Sequence, residues 1–255
     1  MRSWLDWLCL AAAGCSVTLM VALVAVQVGY TGGGPALSAL GQSDVLQAIW
    51  LSVWTSLVGS LAALLLAVPT GYALARWRFP GAWLAEAVLL IPVTMSPMAL
   101  GVALLLLFRN PPGFWLARFF VFEVPGIILA QFFVAYAFIV LVARTTFSGI
   151  DPRFEQVARF LGCTPWQAFR RVTLPLARNG IVAAFVLGWA RAIGDFGSTS
   201  TIAGAVKGYT ETMPVAIYLN MASVSIDRAV ALSVVLTLLT LGGLVAVRLL
   251  IGGRR

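Results

Sequence analysis

A basic and an acidic residue interrupt an otherwise apolar part of the chain. Arg191 and Asp195 lie between an uncharged run at 179–190 and a further apolar run that ends near residue 206. Charged side chains inside a membrane segment are costly, and they usually face a cavity or a charged partner. Because they are four residues apart, both lie on one face of a helix. The pair predicts either an internal ion pair or a polar face that lines a passage.

Small and hydroxyl-bearing residues accompany this pair. Two glycines predict close approach of backbones, and residues 198–201 all carry hydroxyl groups. Such hydroxyls can offer weak hydrogen bonds to an oxyanion, which suits a conduit because a passing ion must also leave. They can equally bond carbonyls of their own helix. The residues predicted to line a pathway or gate are Arg191, Gly194, Asp195, Gly197, Ser198 and Thr199.

The longest polar stretch, residues 144–178, is the second candidate region, with a loop predicted at about 145–178. Asp151 is predicted to cap a short helix that Gly162 ends. Thr164 and Gln167 have the spacing of a capping box that begins a second short helix, and Leu174-Pro175 is predicted to end the unit. Apolar residues recur at helical spacing in the first of these helices: they are Phe154, Val157, Ala158 and Leu161.

An amphipathic helical pair of this kind has two interpretations. It can lie on the lipid surface as an interfacial helix. It can also dock into a groove of a soluble partner, with Trp166, Phe169 and Arg170 on the contact face. The pattern alone favours neither.

Several kinds of chemistry are excluded by what the chain lacks. The 255 residues include no histidine, and Cys9, Cys15 and Cys163 do not have the spacing of a metal site. The chain has no phosphate-binding loop, and its carboxylates are too scattered for a catalytic set. We predict no metal, no cofactor on this chain and no enzymatic activity of its own.

Composition indicates that lipid is the main solvent. The chain is 61% apolar and 10% charged, whereas soluble domains carry about 25% charged residues. Runs of about 20 apolar residues predict membrane-spanning helices. The expected fold is an all-α bundle of about six membrane helices, forming a single domain over residues 1–255. We place the helices near 8–28, 46–75, 84–108, 126–143, 179–204 and 229–250.

The first of these helices has a second interpretation as a signal peptide. Because its apolar run continues well past Cys15, we expect an uncleaved membrane helix instead. Turns are predicted at 31–35, at Pro80-Gly81 and at 111–113, where Pro and Gly cluster.

The distribution of basic residues predicts the orientation. With the N-terminus inside, twelve Lys and Arg residues lie on the cytoplasmic side and four lie outside. The net charge of +8 is therefore a topology signal, and no nucleic-acid partner is expected. We predict a multi-pass protein of the inner or plasma membrane with both termini in the cytoplasm.

The polar stretch carries a specific resemblance. ATP-binding-cassette importer permeases share a cytoplasmic signature, Glu-Ala-Ala, three residues, Gly, nine residues, Ile, one residue, Leu-Pro. This chain resembles it from Ala158 and Gly162 to Val172 and Leu174-Pro175. Gln156 and Val157 replace the first two signature residues, although Glu155 precedes them.

The resemblance implies a coupling helix that contacts a separate ATPase chain. The implied coupling residues are Glu155, Gln156, Ala158, Gly162, Trp166, Phe169, Arg170, Leu174 and Pro175. It also implies two copies of an ATP-binding-cassette ATPase, which would bind ATP and Mg²⁺, a second permease copy in a homodimer, and an extracytoplasmic substrate-binding protein. The type I importer fold is the expected architecture. Rival interpretations are an ion-coupled carrier or a channel that needs no ATPase.

A second resemblance concerns the cargo. Residues 191–203 resemble the Arg-Ala-Leu-Gly-Glu-Phe-Gly-Ala-Thr segment of molybdate, tungstate and sulfate permeases, with Asp195 where Glu is usual. The segment from Thr212 to Tyr218 is most similar to the molybdate branch. The resemblance therefore implies import of molybdate or tungstate, with sulfate or thiosulfate as the alternative.

Overall fold

The computed structural model of the chain describes residues 4–31, 38, 41–77, 80–111 and 113–252, and regular structure there is entirely helical. Four basic residues of the charge count lie outside these ranges: Arg2, Arg78, Arg254 and Arg255. The predicted turn at 31–35 lies outside them from residue 32 onward.

The helices are numbered in chain order. They are α1 (Trp4–Thr31), α2 (Ser43–Arg76), α3 (Ala82–Leu89), α4 (Ile91–Thr94), α5 (Pro97–Arg109), a 3₁₀ turn (Gly113–Leu116), α6 (Ala117–Phe120), α7 (Val124–Ser148), α8 (Arg153–Phe160), α9 (Pro165–Ala168), a π-helical turn (Phe169–Thr173), α10 (Leu174–Ile193), α11 (Gly197–Ala203), α12 (Met213–Ala222) and α13 (Ile226–Gly252).

Five helical segments of the described chain are long and apolar enough to cross a membrane. They are α1, α2, α7, the continuous segment Pro165–Ile193 and α13. A sixth span results if α5 and the bent segment Gly113–Phe120 are counted as one. The prediction of an all-α membrane bundle with about six spans is confirmed.

The predicted helix at 84–108 is wrong as a single element, since α3, α4 and α5 divide it. Proline disfavours helical geometry in the residue before it, and Pro97 is preceded by Ser96 with φ −64° and ψ 144°. The Ser96 hydroxyl then accepts the Ala99 amide at 3.3 Å and caps α5. Pro92 and Pro97 thus lie in the first turns of α4 and α5. At the preceding turn Gly81 has φ +86°, as the predicted Pro80-Gly81 turn requires.

The predicted helix at 179–204 is also wrong in its bounds. It begins earlier, because α9, the π-helical turn and α10 are continuous, and it breaks between Ile193 and Gly197. The helix that begins at Pro165 does not end at Leu174-Pro175, which lies in the first turn of α10. Proline is tolerated in the first turn of a helix, and the wider π-helical turn ends at Thr173, directly before α10 begins. Since α7 continues to Ser148, the loop before α10 covers 149–173, shorter than predicted.

Close packing of α2, α7 and α10 forms the centre of the bundle. Small residues at this contact let the backbones approach, as is usual between membrane helices. A Cβ on Gly71 would lie 2.9 Å from the Cβ of Ala143 and 3.0 Å from the Arg144 nitrogen. The apolar residues of α1, by contrast, are exposed. The central helices therefore hold the two candidate regions in fixed relative positions.

Candidate functional site

The loop at 149–173 folds into two short capped helices. The Asp151 carboxylate accepts the Arg153 amide at 2.9 Å at the start of α8. Gly162, with φ +92°, ends α8, and the Cys163 amide reaches back to the Ala158 carbonyl at 3.0 Å. This is the Schellman arrangement that satisfies the last carbonyls of a helix. The predicted caps are confirmed.

A capping box starts the second helix, as predicted. The Thr164 amide donates to the Gln167 side-chain oxygen at 2.9 Å, and the Gln167 amide donates to the Thr164 hydroxyl at 3.3 Å. Both short helices are therefore locally specified, which lets them present side chains at fixed angles.

Most apolar side chains of this loop point away from the bundle. Of the four residues predicted to form the apolar face of α8, only Ala158 is buried. Phe160 is 89% exposed and Leu161 is 81% exposed. Exposed apolar groups of this size indicate an interaction surface. We call the following exposed residues the docking surface: Phe154, Val157, Phe160, Leu161 and Trp166.

Polar and basic side chains surround the docking surface. Gln156 and Arg159 line a hollow of about 420 Å³ together with Phe160, Cys163 and Pro165. Gln156 is exposed there and free to contact a partner. A second hollow is lined by Trp166, Gln167, Arg170 and Arg171. Of the remaining predicted coupling residues, Leu174 is half-buried and Pro175 is exposed.

Two predicted coupling residues contact the bundle. The Phe169 ring contacts the Tyr72 ring edge-on, with centroids 4.7 Å apart, and only its other side meets Trp166. The Glu155 side chain is 15% exposed and pairs with Arg76 at 2.9 Å. Both residues therefore attach the loop to α2, and their predicted role in coupling to an ATPase stays a prediction.

The break between α10 and α11 contains the predicted pathway residues. Asp195 is buried, and its Oδ2 accepts the Ser198 hydroxyl and, at 3.1 Å, the Thr199 amide. The carboxylate therefore caps the short helix α11. Arg191, about one-third exposed, lies 3.7 Å from the other oxygen, Oδ1, which has no hydrogen bond. The structure brings the predicted pair together, with Asp195 mainly engaged in the cap.

The hydroxyls at 198–201 already have acceptors within the chain. Ser198 donates to Asp195, Thr199 to the Asp195 carbonyl at 2.8 Å, and Thr201 to the Gly197 carbonyl at 2.7 Å. Ser200 also donates to the Gly197 carbonyl. Since a hydroxyl has a single proton to donate, none of them is available to an oxyanion. Of the two interpretations of these hydroxyls, internal bonding is the one observed.

The two glycines of this segment differ in their surroundings. A Cβ on Gly197 would lie 2.7 Å from the Pro97 Cβ and 2.8 Å from the Met98 nitrogen, so α11 and α5 require glycine there. A Cβ on Gly194 would meet nothing closer than 3.6 Å. The predicted close approach at Gly194 is therefore wrong, because this residue is exposed at the helix break.

Comparison with known proteins gives the family. Residues 59–252 match the family described as binding-protein-dependent transport system inner membrane component. The chain belongs to this family. It is thus a multi-pass inner-membrane protein and the permease subunit of an ATP-binding-cassette importer, as the coupling signature predicted.

Relatives of this permease fall into two substrate groups. It is 32% identical over 252 residues to the sulfate transport system permease protein CysW of Escherichia coli (strain K12), covering 94% of this chain and 86% of that protein. It is 34% identical over 210 residues to the molybdate/tungstate transport system permease protein WtpB of Thermococcus kodakarensis, covering 82% and 79%. Both relatives are permease proteins of transport systems.

A solved structure has the same fold. The crystal structure of a bacterial alginate ABC transporter, in complex with its pentasaccharide-bound periplasmic protein, contains a chain that superposes with a TM-score of 0.72. The match covers 95% of this permease and 93% of that chain at 16% identity, so it establishes the fold alone.

One polar cluster of the permease was not found from the sequence. It lines a cavity of about 320 Å³ at the end of the bundle opposite the docking surface, with Asp44, Lys207, Glu211 and Arg228 among its residues. The Lys207 ammonium lies 2.8 Å from the Asp44 carboxylate. Asp44 is more than 160 positions from the other three residues, so no local spacing indicates that they meet.

Glu211 in this cavity predicts a pH-dependent stability. Burial raises the pKa of its carboxyl above the ordinary value of 4.5, while the Gly208 amide and Lys207 act in the opposite direction. The folded chain thus binds this proton more tightly than the unfolded chain. The contribution of Glu211 to the free energy of unfolding is therefore fully present below pH 4.5, and it is lost as the pH rises through the raised pKa. We expect Glu211→Gln to remove this part of the decline.

The measurement is the unfolding temperature of the detergent-purified protein between about pH 4 and about pH 8. Asp227→Asn, which neutralises an exposed carboxylate at the start of α13, is the matched control. Identical pH profiles for Glu211→Gln and the wild type would contradict the prediction.

Proposed function

We propose that this permease imports a tetrahedral oxyanion of the molybdate, tungstate and sulfate class. The observation that carries the proposal is the pair of substrate groups among relatives more than 30% identical. The segment Arg191–Ala203 resembles that of oxyanion permeases of both groups, and the segment Thr212–Tyr218, most similar to the molybdate branch, favours molybdate or tungstate. CysW supports sulfate equally well, so sulfate is the second candidate.

The break at Asp195 supports weak contact with the cargo inside the membrane. Its hydroxyls have internal acceptors, and Arg191 is the exposed positive charge beside it. A single partly exposed guanidinium attracts an anion without forming a closed cage, so the ion can leave. Selective affinity then belongs to an extracytoplasmic binding protein. We assign the pathway or gate to Arg191 and its neighbours at 194–199.

The docking surface supports the proposed partnership with an ATPase. Phe160 and Leu161 lie at the end of a capped, eight-residue helix, and their apolar side chains are exposed. Exposed apolar groups of this kind are typical of a surface that binds a partner of complementary shape. A groove of an ATPase subunit provides it, with ATP and Mg²⁺ bound by that subunit. Two such subunits would serve a permease homodimer in which residues 1–255 of each copy form one domain.

With these contacts, the proposed transport cycle is one of alternating access. ATP binding draws the two ATPase subunits together, and the docking surfaces move with them. The helix bundles then turn between two packed arrangements as rigid bodies. The basic loop at 149–173 lies on the cytoplasmic side in this orientation, and the termini do as well.

The test is uptake of labelled molybdate by cells that express the complete importer, with unlabelled sulfate and tungstate as competitors. We expect tungstate to compete at near-equal concentration and sulfate to need a large excess. Equal competition by sulfate would transfer the assignment to the sulfate group. Uptake that persists when the ATPase is deleted would contradict the ATP-driven proposal and favour a self-sufficient carrier or channel.

A further inference from the structure

The Glu155 carboxylate lies at the centre of a group of hydrogen bonds inside the loop. Its Oε1 accepts Arg76 Nε at 3.0 Å and the Thr173 hydroxyl at 2.8 Å. Its Oε2 accepts the Tyr72 hydroxyl at 2.8 Å. The same guanidinium donates to the Ile150 carbonyl at 2.9 Å. We call Glu155, Arg76, Tyr72 and Thr173 the inner node.

The inner node joins three separate parts of the chain. Tyr72 and Arg76 belong to the last turns of α2, Glu155 belongs to α8, and Thr173 ends the π-helical turn that leads into α10. Arg76 and Glu155 are 9% and 15% exposed, so water and salt screen their attraction only weakly. Charge-assisted hydrogen bonds are also the strong ones. The node therefore fixes α8 to α2 and α10.

Packing by itself does not orient α8. The helix has eight residues, and Ala158 is its one buried residue. Isolated helices of that length are marginal, and most of their stability in proteins comes from burying one face. Since the large apolar residues of α8 point outward, the Glu155 carboxylate is the main attachment of this helix to the bundle.

Through α2 the node reaches the opposite end of the molecule. This helix has 34 residues and is about 50 Å long at 1.5 Å per residue. Near its outer end Ser52 accepts the Met213 amide at 2.6 Å, and Asp44 pairs with Lys207. A displacement of α8 that is transmitted to α2 thus acts on the outer segment at 204–213.

We propose that Glu155 is a positioning residue that transmits movement of the docking surface to α2 through its bonds to Arg76 and Tyr72. The inference rests on the proposed function, because it requires an ATPase at the docking surface. It assigns the acidic group of the loop an internal task and leaves contact with the ATPase to exposed neighbours such as Gln156.

The test uses the complete importer, purified with its ATPase and reconstituted in liposomes with its binding protein. Labelled molybdate and sulfate uptake are each divided by the ATP hydrolysed. Glu155→Gln keeps the side-chain size and one acceptor but removes the charge. We expect the ions imported per ATP to fall about tenfold, the effect of one lost charge-assisted hydrogen bond. ATP hydrolysis should stay within about twofold of the wild type.

Two further variants make the test decisive. Asp227→Asn neutralises an exposed carboxylate at the start of α13 and should leave uptake per ATP unchanged. Glu155→Gln with Arg76→Gln removes both charges, so no buried charge is left unpaired, and it should assemble but remain uncoupled.

The possible outcomes separate the two proposals. Wild-type uptake per ATP in an assembled Glu155→Gln or double-variant complex would overturn the inference. Loss of the ATPase from both variants would overturn it as well, since Glu155 would then have a purely structural task. Failure of the wild-type chain to bind an ATPase would overturn the proposed function itself, and with it this inference.

Discussion

We expect Gly162→Arg to abolish ATP-dependent uptake while the chain still folds and inserts. A Cβ on residue 162 would meet no atom within 4 Å, so a side chain can leave the backbone there without a clash at its base. The arginine would extend beside Phe160 and Leu161 and prevent close contact with the partner. We expect a loss of at least about a hundredfold, since steric exclusion removes the coupling contact altogether.

The backbone at Gly162 needs its own control. Its φ of +92° is favourable for glycine, and any other residue there is strained by about 1 kcal/mol. Asn tolerates this region best among the other residues. Gly162→Asn therefore carries a similar backbone change with a short side chain and should retain most uptake. Equal loss in Asn and Arg variants would indicate backbone strain, and normal uptake with Arg would contradict the docking role.

The second large effect is expected at Asp195. Replacement by alanine removes the cap of α11 and leaves the Thr199 amide and the Ser198 hydroxyl buried without an acceptor. Loss of a cap with buried unsatisfied groups costs about 2–4 kcal/mol. We expect Asp195→Ala to lower the unfolding temperature of the detergent-purified permease clearly, in proportion to that loss.

Asp195→Asn separates the cap from the charge. Asparagine keeps an oxygen for the Ser198 and Thr199 donors, so stability should stay near that of the wild type. It removes the partner of Arg191, and a change in uptake without a change in stability would then report on the pathway. If Asp195→Ala unfolds at the wild-type temperature, the capping interpretation is wrong.

The sequence predicted the local structure of the loop well, because caps depend on neighbours in the chain. Asp151, Gly162 and the Thr164–Gln167 pair each act within four residues, and all three appear as expected. Local spacing also predicted that Arg191 and Asp195 lie close together, although Asp195 lies in the break after α10 and does not share a helix with Arg191. The number of membrane spans followed from composition, since lipid exposure requires long apolar runs.

Helix breaks inside the apolar runs were not predicted. Residues 84–108 and 179–204 have the hydropathy of continuous spans, yet they break before Pro97 and around Asp195. Hydropathy measures the preference of side chains for lipid, and it does not indicate where a helix ends and the next one begins. Pro97 was a local signal for the first break, whereas the second depends on a buried side-chain cap.

What the sequence by itself determined was the class of protein, the family signature and the capped helices of the loop. Only the tertiary structure decided which way each side chain faces. Glu155 and Gln156 are adjacent, yet the first turns inward to Arg76 and the second lies exposed in an open hollow. The physical reason is that Tyr72 and Arg76, some 80 positions away, are brought to Glu155 by the packing of α2 against α7. A local sequence pattern cannot indicate a contact between residues that are so far apart in the chain.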